Sequence, residues 1–120
     1  MGTALAHATR AVELTRKADD PLTELLALEL EARLYLANGD VDDVLRCTEH
    51  ALTVLAGRPG LPAMRHVMVR LTRGEALHVR GDRAAAAVCA GAALADAERL
   101  GYKDGIRRGR SSGPAGRVAR

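Results

Sequence analysis

The chain has 120 residues, 48% of them hydrophobic, with no Phe, no Trp and only Tyr35 and Tyr102 as aromatics. That length supports one modest core built from Leu, Val and Ala, a composition that favours helices and disfavours a large β-sheet. The net charge of +3 conceals an asymmetry: residues 103–120 carry six basic side chains against Asp104, a net of +5, while residues 1–102 hold 12 basic and 14 acidic side chains, a net of −2.

Cys47 and Cys89 stand alone, without a Cys-x-x-Cys pairing, which fits a reducing, cytoplasmic compartment. The N-terminus lacks the basic start and apolar run of a signal peptide. Nothing approaches the roughly 18 consecutive apolar residues of a membrane span.

Five helices are predicted in chain order from apolar spacing and punctuation. The first covers Thr3 to Ala18, with Ala4, Ala8, Ala11, Val12 and Leu14 on one side. Asp20 then caps a second helix that has Pro21 at its first position and Glu24 in its first turn. That helix ends at Ala37, before Asn38-Gly39. Its leucines at 22, 25, 26, 28, 30, 34 and 36, with Tyr35, cover more than one face, so it should be covered on two sides.

Asp40 is expected to cap the third helix, Val41 to Ala56, with Val44, Leu45, Thr48, Ala51, Leu52 and Leu55 at helical spacing. The segment Gly57-Arg58-Pro59-Gly60-Leu61-Pro62 is a loop dense in helix breakers. The fourth helix spans Ala63 to Val79 and stops at Arg80-Gly81; Asp82 caps the fifth, Arg83 to Leu100, closed by Gly101. Within the fifth, Ala84-Ala85-Ala86-Ala87 offers a place for close backbone approach. Residues 103–120 are too polar and Gly-rich to pack and are expected to form a basic, disordered tail.

The chain also repeats itself. Ala32-Arg33-Leu34-Tyr35-Leu36-Ala37-Asn38-Gly39-Asp40 returns forty-two residues later as Gly74-Glu75-Ala76-Leu77-His78-Val79-Arg80-Gly81-Asp82, and Cys47, Ala51 and Leu52 fall on Cys89, Ala93 and Leu94. A fixed period of this size is the mark of stacked helical hairpins. The expected architecture is therefore all-α: antiparallel hairpins in a short solenoid of about five helices over residues 1–102. It consists of a half hairpin, 3–18, and two full hairpins, 21–56 and 63–100. Such an order looks like a window cut from a longer array. The Ala-, Arg- and Gly-rich terminus is also what a shifted GC-rich reading frame would encode.

Gly74, Gly81-Asp82, Ala86 and Ala93 in one copy, and Tyr35, Gly39-Asp40 and Ala51 in the other, resemble tetratricopeptide repeats. The segment from Ala97 to Gly105 is similar to the inter-repeat junction of their long-period variety. That variety occurs in LuxR or MalT-like bacterial regulators and in antibiotic regulatory proteins of actinobacteria. The spacing of forty to forty-two exceeds the usual period of about 34. Thr48 and Ala90 replace a large aromatic, and Arg70 and Arg73 stand where such repeats are apolar. The resemblance implies a docking or sensing surface of a transcriptional regulator. The chain itself carries no phosphate-binding loop and no recognition helix.

His7, Cys47, His50 and Cys89 are the residues closest to a zinc set. Zinc needs four ligands within about 2.0–2.3 Å of the ion, whereas packed helices lie about 8–10 Å apart. Two small core cysteines at equivalent repeat positions explain the pattern better, so neither metal nor cofactor is expected. His66 and His78 lack a nucleophile nearby, and Asp19-Asp20 and Asp42-Asp43 suit helix starts rather than acid–base chemistry.

The fourth helix has a basic stripe. Arg65, Arg70 and Arg73, with Arg58 in the preceding loop, offer bidentate forks for carboxylates. Leu25, Leu28, Tyr35 and His78 are expected to add apolar and polar contacts beside them. The reading is a non-catalytic scaffold that binds a protein or acidic peptide segment, with self-association through uncapped array ends as a further possibility. The competing reading is nucleic-acid binding through Arg107, Arg108 and Arg110, which contact phosphates without aromatics to stack on bases.

Overall fold

A computed structural model describes residues 2–101. They form five helices and no strand: α1 Gly2–Lys17, α2 Pro21–Ala37, α3 Val41–Ala56, α4 Met64–Arg80 and α5 Arg83–Leu100. The all-α class is as the sequence indicates, and α2, α3 and α5 have the expected bounds. α1 begins and ends one residue early, and α4 is shifted one residue towards the C-terminus. The chain divides after Leu61 into two compact units. The expected half hairpin and first hairpin, α1–α3, lie in the first unit, and the second hairpin, α4–α5, in the other. The tail from residue 103, with Arg107, Arg108 and Arg110, lies outside the described residues.

The turns show why the helices stop where they do. Gly39 (φ +81°) and Gly81 (φ +93°) are both left-handed. In each case the following Asp N–H reaches back five residues, Asp40 to the Tyr35 carbonyl at 2.9 Å and Asp82 to the Leu77 carbonyl at 3.0 Å. The repeated Gly-Asp is thus one turn built twice. The α1–α2 turn uses the same bond, Asp20 N–H to the Thr15 carbonyl at 2.9 Å, with Asp19 (φ +52°) in the left-handed place.

The caps differ within this frame. The Asp20 and Asp82 carboxylates accept from the Thr23 and Ala85 N–H groups, each at 3.2 Å. Asp40 does not cap with its side chain as expected. Its carboxylate instead accepts from Asn38 Nδ2, two residues earlier, at 2.8 Å.

In the first unit α2 packs against both α1 and α3. Leu25 and Leu28 are fully buried, with Val44, Cys47, Ala51 and Leu55 from α3 and Ala8 and Val12 from α1. The leucine-rich surface of α2 is not covered all round, however. Leu22, Leu26 and Leu30 remain 40%, 45% and 44% exposed, while Glu24 and Glu31 are buried. Leu14 of α1, expected on the core side, also faces solvent, because the buried row of that helix runs through Ala8 and Val12 instead.

In the second unit α5 buries a row of alanines, Ala86, Ala90, Ala93 and Ala97, and α4 answers with Val67 and Leu71. Small side chains let the two backbones approach, and Gly74 of α4 sits against Ala86 of the alanine run. A Cβ there would lie 3.4 Å from Cys89 Cβ and 3.5 Å from the Ala86 carbonyl.

Candidate functional site

The first unit gathers its polar groups into a seam along α2. Glu31, two turns after Glu24, accepts hydrogen bonds from both neighbouring helices: Thr9 Oγ1 of α1 at 2.7 Å and Cys47 Sγ of α3 at 2.9 Å. Glu24 meets His50 Nε2 at 3.0 Å. Cys47 and His50 are one turn apart on α3, so the pair of carboxylates on one helix matches a pair of donors on the other. Burial pushes the Cys47 thiol up to about 12; its hydrogen bond to Glu31 and that carboxylate's charge act the same way, and Arg46 opposes them. A thiol held protonated is a donor and a poor nucleophile.

Beside this seam the Arg46 guanidinium stands 5.8 Å from the centre of the Tyr35 ring and 3.4 Å from Asp43. Tyr35 also lines an open groove of about 440 Å³ against Leu5, Ala6, Thr9, Arg10 and Glu13 of α1. Burial raises the Tyr35 phenol, assisted by the charges of Glu31 and Asp43.

The second unit has a different cluster. Asp96 of α5 receives Arg70 Nη1 of α4 at 2.8 Å and Arg99 Nη2 of its own helix at 2.7 Å. His66, one turn before Arg70, lines the same pocket of about 230 Å³ with Ala63 and Leu100. Burial and then the Arg70 charge lower the His66 imidazole, against a smaller opposite effect of Asp96. Beside the imidazole the cluster carries two arginine cations and one aspartate anion.

The residues singled out in the sequence are divided between these settings. Tyr35 and Arg58 belong to the first unit, and Arg65, Arg70, Arg73 and His78 to the second. Arg58 is exposed and paired with Asp19 at 2.7 Å, a contact that solvent weakens to at most about 1 kcal/mol. Arg70 is held by Asp96. Arg65, Arg73 and His78 are half-buried on α4, and Arg65 and Arg73 already interact with the rest of the chain.

The zinc-like set is also divided: His7 is exposed, Cys47 and His50 serve Glu31 and Glu24, and Cys89 packs near Gly74 in the other unit. Among the described residues no three His, Cys, Asp or Glu side chains are grouped to hold a metal ion.

Sequence reasoning missed Glu24, Glu31, Asp96 and Arg99. A seven-residue spacing of carboxylates inside a leucine-rich helix was the available sign for the first pair. No local sign linked Asp96 to Arg70, since they are 26 positions apart. No described helix is long and apolar enough to cross a membrane. Comparison with family models, curated proteins and solved structures gave no match.

Proposed function

We propose that the protein is a non-catalytic helical scaffold that binds an amphipathic, acidic segment of another protein. The observation that carries this reading is the ridge Leu22, Leu26, Leu30 on α2, a row at four-residue spacing left at solvent above buried Glu24 and Glu31. Apolar side chains in a row on an outer helix face are what a helical partner segment buries. Arg33 follows at the end of the same face and is exposed. Its positive charge favours acidic over basic partners. Cys47 and His50 of the first unit are meanwhile engaged in packing: Cys47 is held as a donor and His50 is paired to a carboxylate. The Gly-Asp repeat supports a relationship to the tetratricopeptide-like arrays of bacterial transcriptional regulators.

Fluorescence polarisation tests the reading with a labelled helical peptide carrying leucines on one face and glutamates on the other. The full chain should bind it saturably, and Leu26→Lys should weaken binding by about tenfold or more. Deleting residues 103–120 should leave that affinity unchanged. If the full chain instead retains a DNA duplex, ignores the peptide and loses DNA on the same deletion, the tail is the binding element and the scaffold reading is wrong.

A further inference from the structure

The ends of α4 and α5 form a second kind of place, built from two adjoining hollows. One is the charged pocket of His66, Arg70, Asp96 and Arg99, about 230 Å³. The other is an apolar groove of about 380 Å³ lined by Pro62, Met64 and Gly101. Ala63 and Leu100 belong to both, so a ligand could occupy the two together. We propose that this composite site binds a small monocarboxylic acid with an apolar body, its carboxylate against Arg70 and Arg99 and its chain along Pro62, Met64 and Leu100.

The charge and geometry select that class. Asp96 takes one hydrogen bond from each guanidinium, Arg70 Nη1 and Arg99 Nη2. A guanidinium has five N–H donors in a fixed fork, so each arginine is oriented by Asp96 and keeps donors for a second oxyanion. Two cations and Asp96 leave a single positive charge, which one carboxylate neutralises. A doubly charged phosphate would be repelled by Asp96 at close range. The side chains of Arg70 and Asp96 are 34% and 22% exposed, so their charges act through a partly dry medium.

The His66 imidazole lines the same pocket and offers a ring N–H to the carboxylate. At the other end, Met64 and Leu100 are 41% and 46% exposed, apolar surface that an aliphatic chain of a few carbons would cover. The site lies wholly within the second unit. It concerns a small molecule, so it stands or falls separately from the peptide reading.

The test is a nuclear magnetic resonance titration of the full chain at pH 7 with octanoate, acetate and octyl phosphate as probes. Octanoate should shift the His66 ring and the Arg70 and Arg99 Nε–H signals saturably. Acetate should bind about tenfold or more weaker for want of the apolar body, and octyl phosphate no tighter than octanoate. Arg99→Gln, at an exposed position that leaves the core intact, should weaken octanoate by about tenfold. Met64→Glu should remove the preference for octanoate over acetate. The proposal is overturned if octanoate leaves these three side chains unmoved, if both variants bind it like the parent, or if octyl phosphate binds more tightly.

Discussion

Cys47 donates its thiol hydrogen to Glu31 Oε1 across 2.9 Å, and this bond ties α3 to a carboxylate that α1 also holds through Thr9. The thiol is raised to about 12 in the folded protein, above its ordinary value near 8.5 in an unfolded chain. Below the unfolded value both states are protonated and the stabilisation is complete. As pH rises through the window from about 9 to 12, the unfolded thiol ionises first, and stability falls. Denaturant midpoints should therefore decline over that range, and Cys47→Ala should flatten the decline. At pH 8 a thiol reagent should leave Cys47 unlabelled in the native protein and label it at once in denaturant.

Glu31 should be the most sensitive polar position of the first unit. Glu31→Ala orphans the buried Cys47 donor, removes the partner of Thr9 and leaves a gap, an expected loss of about 2–4 kcal/mol. Glu31→Gln keeps the shape and one acceptor, so about 1–2 kcal/mol is expected. A double-mutant cycle of Glu31→Gln with Cys47→Ala, read from urea unfolding, should show coupling of about 0.5 kcal/mol or more. Additive losses would mean the 2.9 Å bond contributes nothing of its own.

Neighbouring leucines on α2 should behave oppositely. Leu25 is fully buried and Leu26 is 45% exposed. Leu25→Ala should cost about 2–5 kcal/mol, and Leu26→Ala no more than about 0.5 kcal/mol. Thermal unfolding of the two variants separates them directly.

That contrast marks the limit of what the sequence made legible. Helix ends were readable because their chemistry is local: Pro21 at a helix start, Gly39 and Gly81 in the left-handed region. Which face of α2 turns inward was not readable, because leucines occupy nearly every direction round that helix. Glu24 and Glu31 share the inward face with Leu25 and Leu28, and their partners His50, Cys47 and Thr9 lie on other helices and give no periodic signal. Arg70 belongs to the basic stripe of α4, but its anion, Asp96, lies on α5, 26 positions away, and nothing local in the sequence links the two.

Two glycines inside helices offer a check on the α4–α5 packing. Gly91 has nothing within 4 Å of a Cβ position, so Gly91→Ala should raise stability by about 0.5–1 kcal/mol through helix propensity and unfolded-chain entropy. At Gly74 a Cβ meets Cys89 Cβ at 3.4 Å and the Ala86 carbonyl at 3.5 Å. Gly74→Ala is accommodated there, whereas Gly74→Leu should cost about 1–3 kcal/mol by forcing the helices apart. Calorimetric midpoints of the three variants should fall in that order.

The central claim is that the α2 ridge is a protein-binding surface, and site-specific photocrosslinking in living cells tests it most directly. A benzophenone amino acid placed at Leu26 should yield a discrete product with another polypeptide. The same group at Val88, an isolated residue 73% exposed on α5, should yield none. Equal crosslinking at the two positions, no product at Leu26, or a product only with nucleic acid would contradict the account.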